Sequence, residues 1–89
     1  MVVSTVQLTL IGKPGCHLCD VARDVITAVI SEQTIATSVE LAELSLIDDP
    51  QLMERYSNDV PVVLINGTVH TIWRVDAGRL RLAILEANQ

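Results

Sequence analysis

Four residues, Gly12-Lys13-Pro14-Gly15, separate two runs of different hydrophobic period. Before them, Val6 to Ile11 is apolar and β-prone. After them, Leu18, Val21, Ala22, Val25, Ile26, Val29 and Ile30 recur at helical spacing, with Asp20, Arg23, Asp24 and Thr27 between them. A strand, a tight turn and an amphipathic helix of about four turns commit the chain to packing one helical face on a sheet.

The rest of the chain extends that start. Gln33 to Ser38 is polar enough to be a connection, and Val39 to Leu46 reads as a second strand. Ala42, Leu44 and Leu46 alternate there with Glu43 and Ser45, the pattern of a half-exposed edge. A helical reading of Glu40 to Leu46 stays open. Asp49-Pro50 is a helix start, with Asp as N-cap and Pro in the first helical position, and the helix it opens runs to about Tyr56. Val62 to Ile65 is a continuous apolar run and reads as a central strand. Asn66-Gly67 then joins it to Thr68–Trp73 as a hairpin, because both central residues of a type I′ turn need positive φ. Asp76 caps a last helix, Ala77 to Ala87, with Leu80, Ile84 and Ala87 on one face. The order is β-α-β-α-β-β-α. Its first half is a βαβ unit, which makes strands one and two parallel with a right-handed crossover. Its second half ends in an antiparallel hairpin. Together they predict one mixed four-stranded sheet flanked by three helices on both faces, in one domain spanning 1–89.

The core has to be built from Val, Ile, Leu and Ala, since the 89 residues include one Trp, one Tyr and no Phe. A net charge of −5, with the few basic residues scattered, argues against a nucleic-acid partner, whose phosphates need clustered Lys and Arg. The same charge disfavours an anionic membrane surface. Met1 to Val6 lacks a basic segment, a long apolar run and a cleavage site, so no signal peptide is expected. No run reaches the roughly 18 apolar residues of a spanning helix. A cytoplasmic location follows as the expectation. In a reducing compartment two close cysteines are catalytic or metal-binding more often than structural.

Cys16 and Cys19 are the only cysteines. They fall just after the turn, at the start of the strongest helix. Residues three apart there have Cα atoms about 5–6 Å apart, a separation a disulfide tolerates. Cys16 lies where unpaired backbone N–H groups and the positive end of the helix dipole converge, both of which favour thiolate. Lys13 adds a positive charge nearby. Thiols in such settings drop from about 8.5 to roughly 3.5–7.5 in pKa. Cys16, at the exposed edge, is the expected nucleophile and Cys19, one turn further in, the resolving thiol. Zinc or iron–sulfur carriage, with ligands shared across a dimer, is an alternative, and inert thiols are another. Zinc normally takes four ligands, however, and there is no second cysteine pair. His17 sits between the cysteines and points elsewhere on the turn.

Lys13-Pro14-Gly15-Cys16-His17-Leu18-Cys19, Asp49-Pro50-Gln51-Leu52, Val60-Pro61 and Ile65-Asn66-Gly67 together resemble the glutaredoxin branch of the thioredoxin-fold superfamily, in particular its small bacterial glutaredoxin-like proteins. The resemblance covers almost the whole chain. It implies a thioredoxin-like α/β fold of glutaredoxin type. It also implies a cis Val60–Pro61 bond facing the cysteines and a Val60 backbone that pairs with an incoming substrate. Sequence alone would not give the cis bond, since about 5–6% of X–Pro bonds in folded proteins are cis. Lys13, His17, Val60 and Pro61 are the substrate-binding residues this reading assigns.

The chain departs from the glutaredoxin pattern where glutathione would sit. Ile72-Trp73-Arg74-Val75-Asp76 stands where the family carries paired glycines, Asp59 replaces a threonine before Val-Pro, and His17-Leu18 replaces Pro-Tyr between the cysteines. Lost backbone access and an added carboxylate predict weak glutathione binding. Trp73 either covers the substrate groove or packs on neighbouring helices. His17 either stabilises the Cys16 thiolate as imidazolium or is an exposed first-turn residue. His70 reads as a surface or cross-strand residue, and the arginines of the last helix as a solvated face. The sequence therefore predicts a monomeric thiol–disulfide oxidoreductase without cofactor or metal. Its substrate would be a protein disulfide or a low-molecular-weight thiol. The alternative is a thioredoxin-fold binding module or iron–sulfur carrier.

Overall fold

The computed structural model describes residues 5–32 and 38–87. Strand β1 (Thr5–Gly12), helix α1 (His17–Ile30), strand β2 (Ser38–Ser45), helix α2 (Pro50–Tyr56), strands β3 (Val62–Ile65) and β4 (Thr68–Ile72) and helix α3 (Ala77–Ala87) follow in the predicted order, with a single 3₁₀ turn at Leu46–Asp48. The sheet order is β2-β1-β3-β4. β1 runs parallel to β2 and antiparallel to β3, and β3 and β4 form the hairpin. The predicted connection at 33–38 and the N-terminal stretch fall largely outside the described residues; Ser38 already belongs to β2. Among the described residues no helix is long and apolar enough to cross a membrane.

β1 buries one side along its length and the other side only at its end, at Ile11. Val6, Leu8 and Leu10 join Ala22, Ile26 and Val29 of α1, Val63 of β3 and Leu80 and Ile84 of α3 in one buried cluster. On the opposite face Ile11, Leu46, Val60 and Val62 form a second cluster, against which Leu52 and Tyr56 of α2 pack. Helices therefore lie on both faces, as alternating burial of strand side chains requires. Asn66 and Gly67 take φ of 50° and 83°, the two positive values the hairpin demands. Asn66 also exchanges hydrogen bonds with Gln7, whose N–H donates to Asn66 Oδ1 at 2.9 Å and whose carbonyl accepts from the Asn66 N–H at 2.8 Å. The turn residue thus ties the hairpin to the central strand.

Several expectations are corrected by packing. In β2 the inward residues are Val39 and Leu41, while Ala42 and Leu44 face outward. The strand is shifted one residue from the predicted alternation, which reverses its faces. Only Leu46, beyond the strand, is buried. In α1 the buried stripe is Cys19, Ala22, Ile26 and Val29, and Leu18 and Val21 are each 44% exposed. They lie to one side of that stripe, where no layer covers them. β4 stops at Ile72, and Trp73 leaves it with φ of 68°. Arg81 of the supposed solvated face makes a two-pronged salt bridge to Glu32, which joins α3 to the end of α1.

Candidate functional site

Cys16 is the N-cap of α1, with extended backbone (φ −94°, ψ 109°), and the helix proper begins at His17. The Cys19 N–H donates to Cys16 Sγ at 3.2 Å, and the Asp20 N–H donates to the Cys16 carbonyl at 3.2 Å. A sulfur therefore takes the place that Ser, Thr, Asp or Asn usually fills. An amide aimed at Sγ, at the positive end of the helix, stabilises charge on that sulfur. The Cα atoms of Cys16 and Cys19 are 5.2 Å apart and the two sulfurs lie at disulfide distance. Cys16 is half-buried and Cys19 only 2% exposed, so an approaching reagent meets Cys16 first.

Gly12, at the end of β1, explains why Cys19 fits so deep. A Cβ at Gly12 would lie 3.0 Å from Cys19 Sγ and 3.2 Å from its Cβ. Sequence inspection takes Gly12 as a turn residue; its second role, as clearance for a buried sulfur, depends on how α1 lands on the sheet.

Val60 and Pro61 precede β3, and the bond between them is cis. Both side chains are buried, with Val60 in the same cluster as Cys19 and with Cys16 packed against it. Val60 lies outside the strands, and its N–H and carbonyl have no hydrogen-bond partner within the described residues. An unpaired main-chain donor and acceptor beside the cysteine pair are an open edge for an extended segment.

Trp73 is fixed to this loop at two points. Its main-chain N–H donates to the Pro61 carbonyl at 2.8 Å and its indole N–H to the Asn58 carbonyl at 3.0 Å. The Arg74 N–H returns to the Ile72 carbonyl at 2.8 Å, closing a three-residue turn around Trp73. The positive φ makes this the rare, strained kind of γ-turn, a cost of about 1–3 kcal/mol for a residue other than glycine. Trp73 as a whole remains 54% exposed. Together with Leu18, Val21, Ala22, Arg74 and Val75 it lines a groove of about 260 Å³ along α1.

Lys13 and His17 are both exposed. Lys13 lines a second cavity, of about 310 Å³, that reaches Cys19 from the β2 side between Asp20, Arg23 and Glu43. Arg23 bonds both of those carboxylates. Lys13 thus lies behind the cysteine pair, away from Trp73. Asp59 adjoins Val60, its N–H bound to the Tyr56 carbonyl. His70 is half-buried beside Arg79; burial first, and the Arg79 charge second, hold its imidazole below its ordinary value. Among the described residues no three of His, Cys, Asp and Glu gather where a metal could sit.

These features agree with the comparisons. A structural genomics target protein from X. campestris, XcR50, solved by X-ray, is 30% identical, and the match covers 92% of this chain and 99% of that one with a TM-score of 0.69. Chloroplastic thioredoxin z superposes with a TM-score of 0.72 over 93% of this chain and 78% of its own, at 12% identity, a likeness of fold alone. In sequence, an uncharacterized protein of Mycobacterium tuberculosis, Rv0508, is 31% identical over 92% of this chain and 86% of its own. A glutaredoxin-like protein of Dictyostelium discoideum (the YDR286C homolog) is 26% identical over 85% and 72%. With the family pattern of the Glutaredoxin-like domain (DUF836) matching residues 7–85, which hold the cysteine cap, the cis proline and the hairpin alike, the chain belongs to that glutaredoxin-like family of the thioredoxin fold.

Proposed function

We propose that the protein is a dithiol–disulfide oxidoreductase in which Cys16 attacks and Cys19 resolves. The observation that carries this reading is Cys16 as the sulfur N-cap of α1, half-exposed, one turn from a buried Cys19. The Cys16 thiolate attacks one sulfur of a substrate disulfide, forming a mixed disulfide and expelling the other sulfur as thiolate. Cys19, having lost its proton to solvent, then attacks Cys16 Sγ and releases the second substrate thiol. The substrate gains two electrons and the cysteine pair loses two as it closes. An external dithiol or thiol reopens the pair. Val60, packed in the same cluster as the cysteine pair, supports the step by offering its unpaired N–H and carbonyl to the extended substrate chain.

Glutathione binds weakly in this reading, because Trp73 and Arg74 occupy the segment where backbone access would be needed and Asp59 adds a carboxylate beside Val60. A reductase of thioredoxin-reductase type in the cytoplasm is the matching electron source, and the protein acts as a monomer.

The test is a trap. Cys19→Ser incubated with a disulfide substrate should accumulate a mixed disulfide at Cys16, seen by mass spectrometry, while Cys16→Ser should accumulate none. Faster alkylation of Cys19 than of Cys16 at neutral pH would reverse the roles. An absence of any adduct on either variant would remove the redox reading.

A further inference from the structure

The groove along α1 is built from residues that the thiol chemistry itself does not need. Leu18 and Val21 project from a side of α1 that none of the described elements covers, and Trp73 and Val75 line the same groove. Trp73 is held by its strained turn and by its two hydrogen bonds to Asn58 and Pro61. An exposed indole fixed by main-chain strain is not explained by the core, which it does not enter. At about 260 Å³ the groove is smaller than the roughly 300–1,000 Å³ of small-molecule sites. It suits one large side chain better than a whole ligand. It is lined at one side by Leu18, between the two cysteines, and at the other by Trp73, which is hydrogen-bonded to the loop that carries the unpaired Val60 backbone. A chain pairing with Val60 and presenting a sulfur to Cys16 runs beside it. Arg74 stands on its rim, with no ion pair among the described residues.

We infer that this groove selects the substrate: an extended protein segment with a large apolar side chain beside its disulfide-bonded cysteine and a carboxylate next along, seated between Leu18, Val21 and Trp73 and paired with Arg74. Trp73 is the specificity-determining residue of the site. The inference rests on the dithiol reading above and names the substrate class for that same pair. The chemistry is unchanged: Cys16 attacks the substrate sulfur, the partner thiolate leaves, and Cys19 closes the pair.

The experiment uses the reduced full chain and short single-cysteine peptides, each carried as a mixed disulfide with 5-thio-2-nitrobenzoate. That leaving group is common to all and is expelled first because its thiol is the more acidic. The peptides carry Leu-Glu, Gly-Glu or Leu-Lys beside the cysteine, and glutathione carried in the same way is the comparison. The Leu-Glu peptide should react about tenfold faster than Gly-Glu, the factor that partly burying a leucine side chain supplies. It should react a few-fold faster than Leu-Lys, an excess that shrinks in high salt. Val21→Gln and Trp73→Gly should each bring the Leu-Glu to Gly-Glu ratio below threefold. Both are safe for folding, since Val21 is exposed and glycine relieves the positive φ at Trp73. Taking a ratio cancels any change in the thiols themselves. Equal rates for all peptides, an unchanged ratio in both variants, or faster reaction with the glutathione disulfide would overturn the groove and leave the dithiol reading standing. No release from any probe would overturn the dithiol reading.

Discussion

The helices α1 and α2 begin in the same way and to different ends. α2 starts from Asp49, whose carboxylate accepts the Gln51 N–H at 2.9 Å, with Pro50 in the first helical position. α3 repeats the device with Asp76, which accepts the Arg79 N–H at 2.8 Å. α1 has a sulfur there, at 3.2 Å from the Cys19 N–H. A thiol is a weak acceptor where a carboxylate is a strong one, so α1 gives up capping strength at the end that holds the cysteine pair. The helix N-terminus is the same physical resource in each case: unpaired amides and a positive dipole end. In α2 and α3 it holds a carboxylate cap, and in α1 it faces a cysteine sulfur, which the proposed exchange uses as a thiolate.

Changes at the caps would break or sharpen this contrast. The largest effect should come from Cys16→Ser, which restores a strong cap and removes the nucleophile: disulfide exchange should fall to the uncatalysed rate in a stopped-flow assay. Next is Gly12→Ala. Cys19 is buried and cannot move aside without shifting α1, so the added methyl should cost about 1–3 kcal/mol in urea unfolding, as overpacking does. The equivalent change at the start of α3, Gly78→Ala, meets only the Asp76 carboxylate at 3.4 Å and should be neutral or stabilising. A Gly12→Ala protein as stable as the parent would show that Cys19 has room the structure does not display. Removing the ordinary caps, Asp49→Ala or Asp76→Ala, should cost about 1 kcal/mol each and leave the disulfide-exchange rate near the parent value. In the reverse direction, Cys16→Ser should be more stable than the reduced parent by a few tenths of a kcal/mol, up to about 1 kcal/mol, because serine caps well. Equal or lower stability would mean that sulfur is no handicap there.

The smallest effect lies away from the caps, at His70. Its folded pKa is lowered by burial and by Arg79, so below about 6.5 the unfolded chain binds more protons than the folded one. Stability should therefore rise with pH through that window and fall slightly as pH drops below it. His70→Gln should flatten the slope between pH 7.5 and 5.5 in urea midpoints. An unchanged slope would show that the imidazole is as well solvated folded as unfolded.

Much of this was legible in advance because it is local. The periods of β1, α1 and β3 are set within each segment. Asp49-Pro50 and Asn66-Gly67 act through dihedrals and hydrogen bonds a few residues long. The spacing of Cys16 and Cys19 places their Cα atoms at 5.2 Å whatever surrounds them. The functional residues that were missed are non-local. Gly12 matters because α1 returns over it, and Leu18 and Val21 read as core because an apolar helical stripe does not say how wide a face will be covered. An edge strand with apolar residues on both alternations, as β2 has, carries no local instruction for which set turns inward.

The sequence by itself determined the kind and order of the elements, the helix ends and the reach between the two sulfurs, since these follow from backbone sterics and short-range bonding. Only the tertiary structure decided that Gly12 must make room for Cys19, which main-chain groups at Val60 stay unpaired and where Trp73 stands. Those depend on separate segments of the chain meeting around the start of α1. Trp73 shows the reason most plainly: a positive φ for a tryptophan is locally unfavourable, and it is held by partners at Asn58 and Pro61 that only the closed sheet brings within reach.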